Sequence, residues 1–140
     1  MGIDQWQDGY PSSDVIMSDI NNGIGWVAVD EVNTAIGYAA ILLTGEVAYT
    51  QIPDDAWHTS NHYVVVHRLC VDGSTRRKGV AMELMAHAAT LGREASLDGF
   101  RIDTHRGNIR MLSLINKFGF DYCGIVRYDS GERLAYDKSL

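Results

Sequence analysis

Val71-Asp72-Gly73-Ser74-Thr75-Arg76-Arg77-Lys78-Gly79-Val80-Ala81 is the stretch whose reading decides the fold. An apolar run rich in β-branched residues, Tyr63-Val64-Val65-Val66-His67-Arg68-Leu69-Cys70-Val71, precedes it, as expected of a buried strand. After it, Val80, Leu84, His87 and Leu91 recur at helical spacing. The unit is therefore strand, basic glycine-containing turn, helix. The first amides of a helix lack intrahelical acceptors, and the positive end of its dipole lies beside them, so such a turn converges on an anion. Arg76, Arg77 and Lys78 add cations, while Gly79 and the small Ala81 leave the backbone open to a phosphate. A nucleotide P-loop is excluded by spacing: it needs four residues between its glycines and then Lys-Ser or Lys-Thr, whereas here five separate Gly73 from Gly79 and Val80 follows. The plain alternative is a solvated basic turn that caps an ordinary helix.

What the turn resembles is the pyrophosphate-binding turn of the GNAT family of N-acetyltransferases: Arg or Gln, two variable residues, Gly, one variable residue, then Gly or Ala, following the family's fourth strand. Arg76-Arg77-Lys78-Gly79-Val80-Ala81 fits it at every fixed position. The rest of the chain falls into the family's order of elements. A strand is expected over 99–104, then a helix opened by Asn108 with Met111, Leu114, Ile115 and Phe118 on its apolar face and Gly119 at its left-handed end. Residues 122–128 and 133–138 flank Asp129-Ser130-Gly131, a hairpin signal. Upstream, 25–30 and 36–43 read as strands joined by a turn near Asn33, and 13–22 as a short helix with Ile16 and Ile20 on one face and Gly23 past its end. The resemblance implies an α/β fold, a mixed, mostly antiparallel central sheet flanked by helices, in one domain over 1–140. It starts late, because family members open with a strand and a helix before the equivalent of Trp6 to Pro11. A truncated product, or a first strand supplied from elsewhere, is expected, and an unpaired sheet edge would favour association, a homodimer included.

Composition narrows the class. With 140 residues and 46% hydrophobic residues the chain can bury a core of its own. Its longest aliphatic stretch, 39–43, is too short for a membrane span, and neither a secretory signal nor a repeat is present, so the chain is expected in the cytoplasm. Cys70 and Cys123 lack metal-ligand spacing and read as small core residues. A net charge of −6, with no basic face beyond the turn, argues against nucleic-acid binding; acidity around a basic cleft would suit a cationic acceptor.

The resemblance implies acetyl transfer from acetyl-CoA to a primary amine of a small molecule or peptide by direct attack, with acetyl-CoA as co-substrate and no metal. The cofactor would be held by the backbone of Arg77, Lys78, Gly79, Val80, Ala81 and Met82 and by the charges of Arg76 and Lys78. Its pantetheine arm would pair with Leu69, Cys70 and Val71 where the strand splays from its neighbour, and an amide at Leu69 or Cys70 would face the thioester oxygen. Asn108 matches the family residue that contacts the cofactor, with Lys117 near it or on a solvated helix face. His67, on the cofactor strand, is the candidate base, the plainer role being that of a core histidine; Arg68 should alternate to the opposite face. The tyrosine that many relatives use as acid, seven positions after the Asn, is here Ile115, which leaves Tyr122 and Tyr128 as substitutes or as packing residues. With a thiol pKa of about 8.5 the leaving group needs less protonation than an alkoxide would, so catalysis is not excluded without that acid. A non-catalytic acyl-CoA-binding module of the same fold is the alternative. His58 and His62 at a four-residue step, with His67 beyond, pose a metal reading that an irregular loop does not support; His87 and His105 read as packing or surface residues. Tyr10, Trp26, Tyr38 and Trp57 are candidates for an acceptor wall or for core.

Overall fold

The computed structural model describes residues 13–75 and 78–140. Its elements follow the expected order: α1 (Ser13–Asn21), β1 (Gly25–Val29), β2 (Ala35–Leu42), β3 (Tyr63–Val71), α2 (Val80–Glu94), β4 (Gly99–Thr104), α3 (Ile109–Phe118), β5 (Asp121–Tyr128) and β6 (Gly131–Ser139). The strands form one six-stranded sheet in the order β1-β2-β3-β4-β6-β5. All neighbours are antiparallel except β3 and β4, which α2 joins by a parallel crossover. This is the mixed, mostly antiparallel α/β sheet that the sequence led us to expect. Among the described residues no helix is long and apolar enough to cross a membrane.

Burial divides the sheet into two faces. Ile36, Val64, Val66, Leu69, Phe100 and Ile102 meet α2 and α3 in one core. On the other face Val65, Val126 and Ala135 pack against Tyr49, Ile52 and Trp57, carried by the segment between β2 and β3, which folds over the sheet in two short 3₁₀ turns, Val47–Gln51 and Asp54–Ala56. The buried stripe of α2 is Val80, Leu84, Met85, Ala88, Ala89 and Gly92, rotated from the Val80, Leu84, His87, Leu91 face that hydrophobicity favours. Close packing explains the rotation: a Cβ on Gly92 would lie 3.0 Å from Val64 Cγ1, so the small residues let the helix settle on β3. His87 is left half-buried at the flank, its ring edge-on to Trp26.

Each helix end that frames the site is set locally. Gly79 precedes α2 at φ +78°, a conformation that disfavours side chains, and a Cβ there would meet nothing within 4 Å. Asn108 caps α3 by accepting the Met111 amide at 3.2 Å, and Gly119 ends it at φ +96°.

Candidate active site

The site exists because β3 and β4 part company. Their parallel ladder runs only through Tyr63/Gly99, Val64/Phe100 and Val65/Arg101, although β3 continues to Val71 and β4 to Thr104. Beyond Val65 the strands diverge and open a cleft of about 510 Å³. It is lined by Val66, His67, Arg68 and Leu69 of β3, by 102–105 from β4 onward, by Asn108 and Met111 of α3, and by Glu46, Tyr128, Ser130 and Arg133.

A bulge shapes the β3 wall. Two β3 residues, Arg68 and Leu69, stand opposite one on β2, Ala39, between the pairs Ala40/His67 and Tyr38/Cys70, and Arg68 adopts φ +55°. Val66 and Leu69 both enter the α2-side core, so His67 and Arg68 stand together on the other side. This corrects the simple alternation expected of Arg68: strand period predicts opposite faces, and the left-handed residue cancels one step. Arg68 is salt-bridged, through Nε to Asp19 Oδ2 at 2.9 Å and Nη2 to Oδ1 at 2.6 Å, while the Tyr38 hydroxyl also donates to Asp19. Burial and the Asp19 carboxylate push the Tyr38 pKa well up, which keeps that hydroxyl a donor.

His67 Nε2 lies 2.6 Å from Glu46 Oε1, with both side chains about four-fifths buried. Glu46 is fixed from several directions. Its Oε2 accepts the Ala48 amide at 3.0 Å, and its own amide donates to the Tyr63 hydroxyl at 3.2 Å. The hydrogen bond from His67 holds the Glu46 carboxyl below its ordinary range, against the upward push of burial. Asp103 faces the same cleft, its Oδ2 accepting the hydroxyls of Tyr49 at 2.8 Å and Tyr128 at 2.9 Å. Burial and Asp103 push the Tyr128 phenol far up, so it stands as a proton-bearing donor.

Of the residues singled out from the sequence, the structure brings His67, Leu69 and Asn108 into the cleft wall. Cys70 and Val71 continue the same strand, buried. Burial pushes the Cys70 thiol up to about 12. Gly79, Ala81 and Met82 open α2, and the Val80 side chain packs into the core, leaving only its backbone for a ligand. Lys78 is exposed; Arg76 and Arg77 lie outside the described residues. Lys117 is exposed in the last turn of α3 and does not line the cleft. Ile115 is buried in the core, so α3 presents no acid there. Tyr122 stacks edge-on against Tyr136 on exposed surface, and of the two substitute tyrosines Tyr128 is the one at the cleft.

The aromatic wall is not the one expected. Trp57 packs over the Arg101 guanidinium, Trp26 against His87 and Tyr38 over Asp19, and none of them lines the cleft; Tyr10 lies outside the described residues. Glu46 and Asp103 are the functional candidates that sequence reasoning missed. Glu46 sits in an irregular segment 21 residues from its partner, and Asp103 reads as one polar residue of a strand.

Comparison with known proteins agrees with this architecture. A family model described as the acetyltransferase (GNAT) family matches residues 3–120. A solved GNAT-family acetyltransferase from Streptococcus agalactiae is 36% identical, covering 99% of this chain and 79% of its own, with a TM-score of 0.73. One from Listeria monocytogenes, at 23% identity, covers 97% of this chain and 77% of its own with a TM-score of 0.69 and shares the fold. The fold is also that of a streptothricin acetyltransferase from Bacillus anthracis solved with acetyl coenzyme A, at 18% identity, covering 83% of this chain and 61% of its own with a TM-score of 0.60. No curated protein sequence matches.

Proposed function

Since the chain belongs to the GNAT acetyltransferase family, we propose that it transfers the acetyl group of acetyl-CoA to a primary amine of a small molecule or peptide by direct attack. The observation that carries this reading is the opening of β3 from β4 with the Glu46–His67 pair on its wall. Among the described residues the β4-side edge of β3 has no ladder partner beyond Val65, which leaves backbone groups near Leu69, Cys70 and Val71 to pair with an extended pantetheine arm. The first-turn amides of α2, Val80, Ala81 and Met82, have no acceptor within their helix and are available to a pyrophosphate beside the open Gly79, and Arg76, Arg77 and Lys78, which precede Gly79 in sequence, would supply charge for it. Asn108 adds a cofactor contact at the head of α3. The acetyl-CoA complex of the streptothricin acetyltransferase neighbour supports the choice of donor.

In the reaction the amine nitrogen bonds to the thioester carbonyl carbon as the carbon–sulfur bond breaks. His67, held by Glu46, takes a proton from the substrate ammonium and so frees the nitrogen lone pair for attack, and an amide at Leu69 or Cys70 stabilises the charge on the oxygen. The thiolate leaves with little need of an acid; Tyr128 lies on the cleft wall, its hydroxyl donating to Asp103. The test is thiol release from acetyl-CoA across a panel of polyamines, amino sugars and peptide amines. Release that depends on an amine is expected; cofactor binding without turnover on the whole panel would instead favour a binding module.

A further inference from the structure

Away from the cleft, the sheet gathers three side chains that no local pattern connects. His58 follows the second 3₁₀ turn, Cys123 lies on β5 and Asp137 on β6, and their ligand atoms all fall within 4.8 Å of one another. His58 Nδ1 stands 2.8 Å from Asp137 Oδ1 and 3.5 Å from Cys123 Sγ, so one ring nitrogen faces both other donors. From this geometry we propose that His58, Cys123 and Asp137 form a binding site for a zinc-like divalent cation, with water in the fourth position.

Donor chemistry and spacing both support it. Imidazole, thiolate and carboxylate are the ligand set of zinc, and bond lengths of about 2.3 Å to sulfur and 2.0–2.1 Å to nitrogen place tetrahedral sulfur and nitrogen ligands about 3.5 Å apart. The separation of Sγ from Nδ1 already has that value. Nδ1 and Oδ1 need to part by about 0.5 Å to reach the tetrahedral spacing set by those bond lengths. The site is also built from behind. Asp137 is 0% exposed, and its Oδ2 accepts the amides of His58 and Thr59 at 2.7 and 2.9 Å and the Thr59 hydroxyl at 2.9 Å. That leaves Oδ1 turned toward the softer donors. The His58 side chain is 54% exposed, which gives the ion an entry path and a solvent position. On binding, the thiol proton leaves to solvent and sulfur bonds to the metal, with no change of oxidation state. Arg101 holds the loop over the site, its guanidinium between the Trp57 and Tyr63 rings at 3.9 and 4.0 Å and donating to the carbonyls of Thr59 and Ser60. A bound ion would tie this loop to β5 and β6.

Cobalt(II) titration of the reduced protein, followed by zinc, tests the assignment. The expected result is a thiolate-to-cobalt charge-transfer band that saturates at one equivalent, is bleached by zinc, and is absent from Cys123→Ser. His58→Gln, a change in a half-exposed ring, should weaken zinc affinity at least about tenfold and serves as the deciding variant if Cys123→Ser does not fold. Zinc should also raise the parent's melting midpoint and leave that of either folded variant much less changed. No band in the folded parent, or a band and affinity unaltered by these substitutions, would overturn the proposal.

Discussion

His67 is the residue at which binding and chemistry separate. Its ring lies on the cleft wall and is tied to Glu46. If it accepts the substrate proton, His67→Ala lowers kcat by roughly a hundredfold or more while coenzyme A affinity stays nearly unchanged, as kinetics beside equilibrium titration would show. A purely structural histidine would give the reverse, a lowered melting point with full turnover. Glu46 makes a second prediction, through pH. Its folded pKa is depressed, so its contribution to stability is complete above the ordinary glutamate pKa of about 4.3 and is lost as pH falls through the lower folded value. Melting curves of the parent and Glu46→Gln should therefore differ by a constant amount near neutrality and converge in acid; a gap that persists at low pH would assign the effect to packing.

Elements, at the next scale, are fixed by a few junctions. Gly79 is left-handed at the head of α2, and a carboxylate there would stand where an anion must approach the backbone. Gly79→Asp should abolish coenzyme A binding in a protein that still folds, measured by calorimetric titration; undiminished binding would remove this turn from the cofactor site. The bulge of β3 is pinned to α1 by the Arg68 fork on buried Asp19. Asp19→Ala withdraws the anion that both Arg68 and the Tyr38 hydroxyl bind, and denaturant titration should show a loss of about 3–5 kcal/mol, the range for breaking a buried ion pair. A loss under 1 kcal/mol, the scale of an exposed pair, would mean that the bulge holds itself.

For the whole molecule, a ligand that binds only the folded state stabilises it by mass action. Coenzyme A at a hundred times its Kd should contribute about 2.7 kcal/mol, seen as a melting midpoint that climbs with ligand concentration. No climb at millimolar ligand in a folded sample would argue against the cofactor site as a unit. How much of this molecule the sequence determines follows from the range of the interactions involved. Strand and helix periodicity, the Asn108 cap, the left-handed glycines and the basic turn are encoded within a few residues, so the elements, their order and the family resemblance are legible in the chain. The rest depends on residues that only folding brings together. Glu46 reaches His67 across 21 positions, Arg68 changes face because its backbone turns left-handed, and His58 meets Cys123 and Asp137 across 65 and 79 positions. No sequence spacing encodes those meetings. They were decided by the tertiary structure, because sheet register and the packing of the segment between β2 and β3 fix which distant side chains share a face.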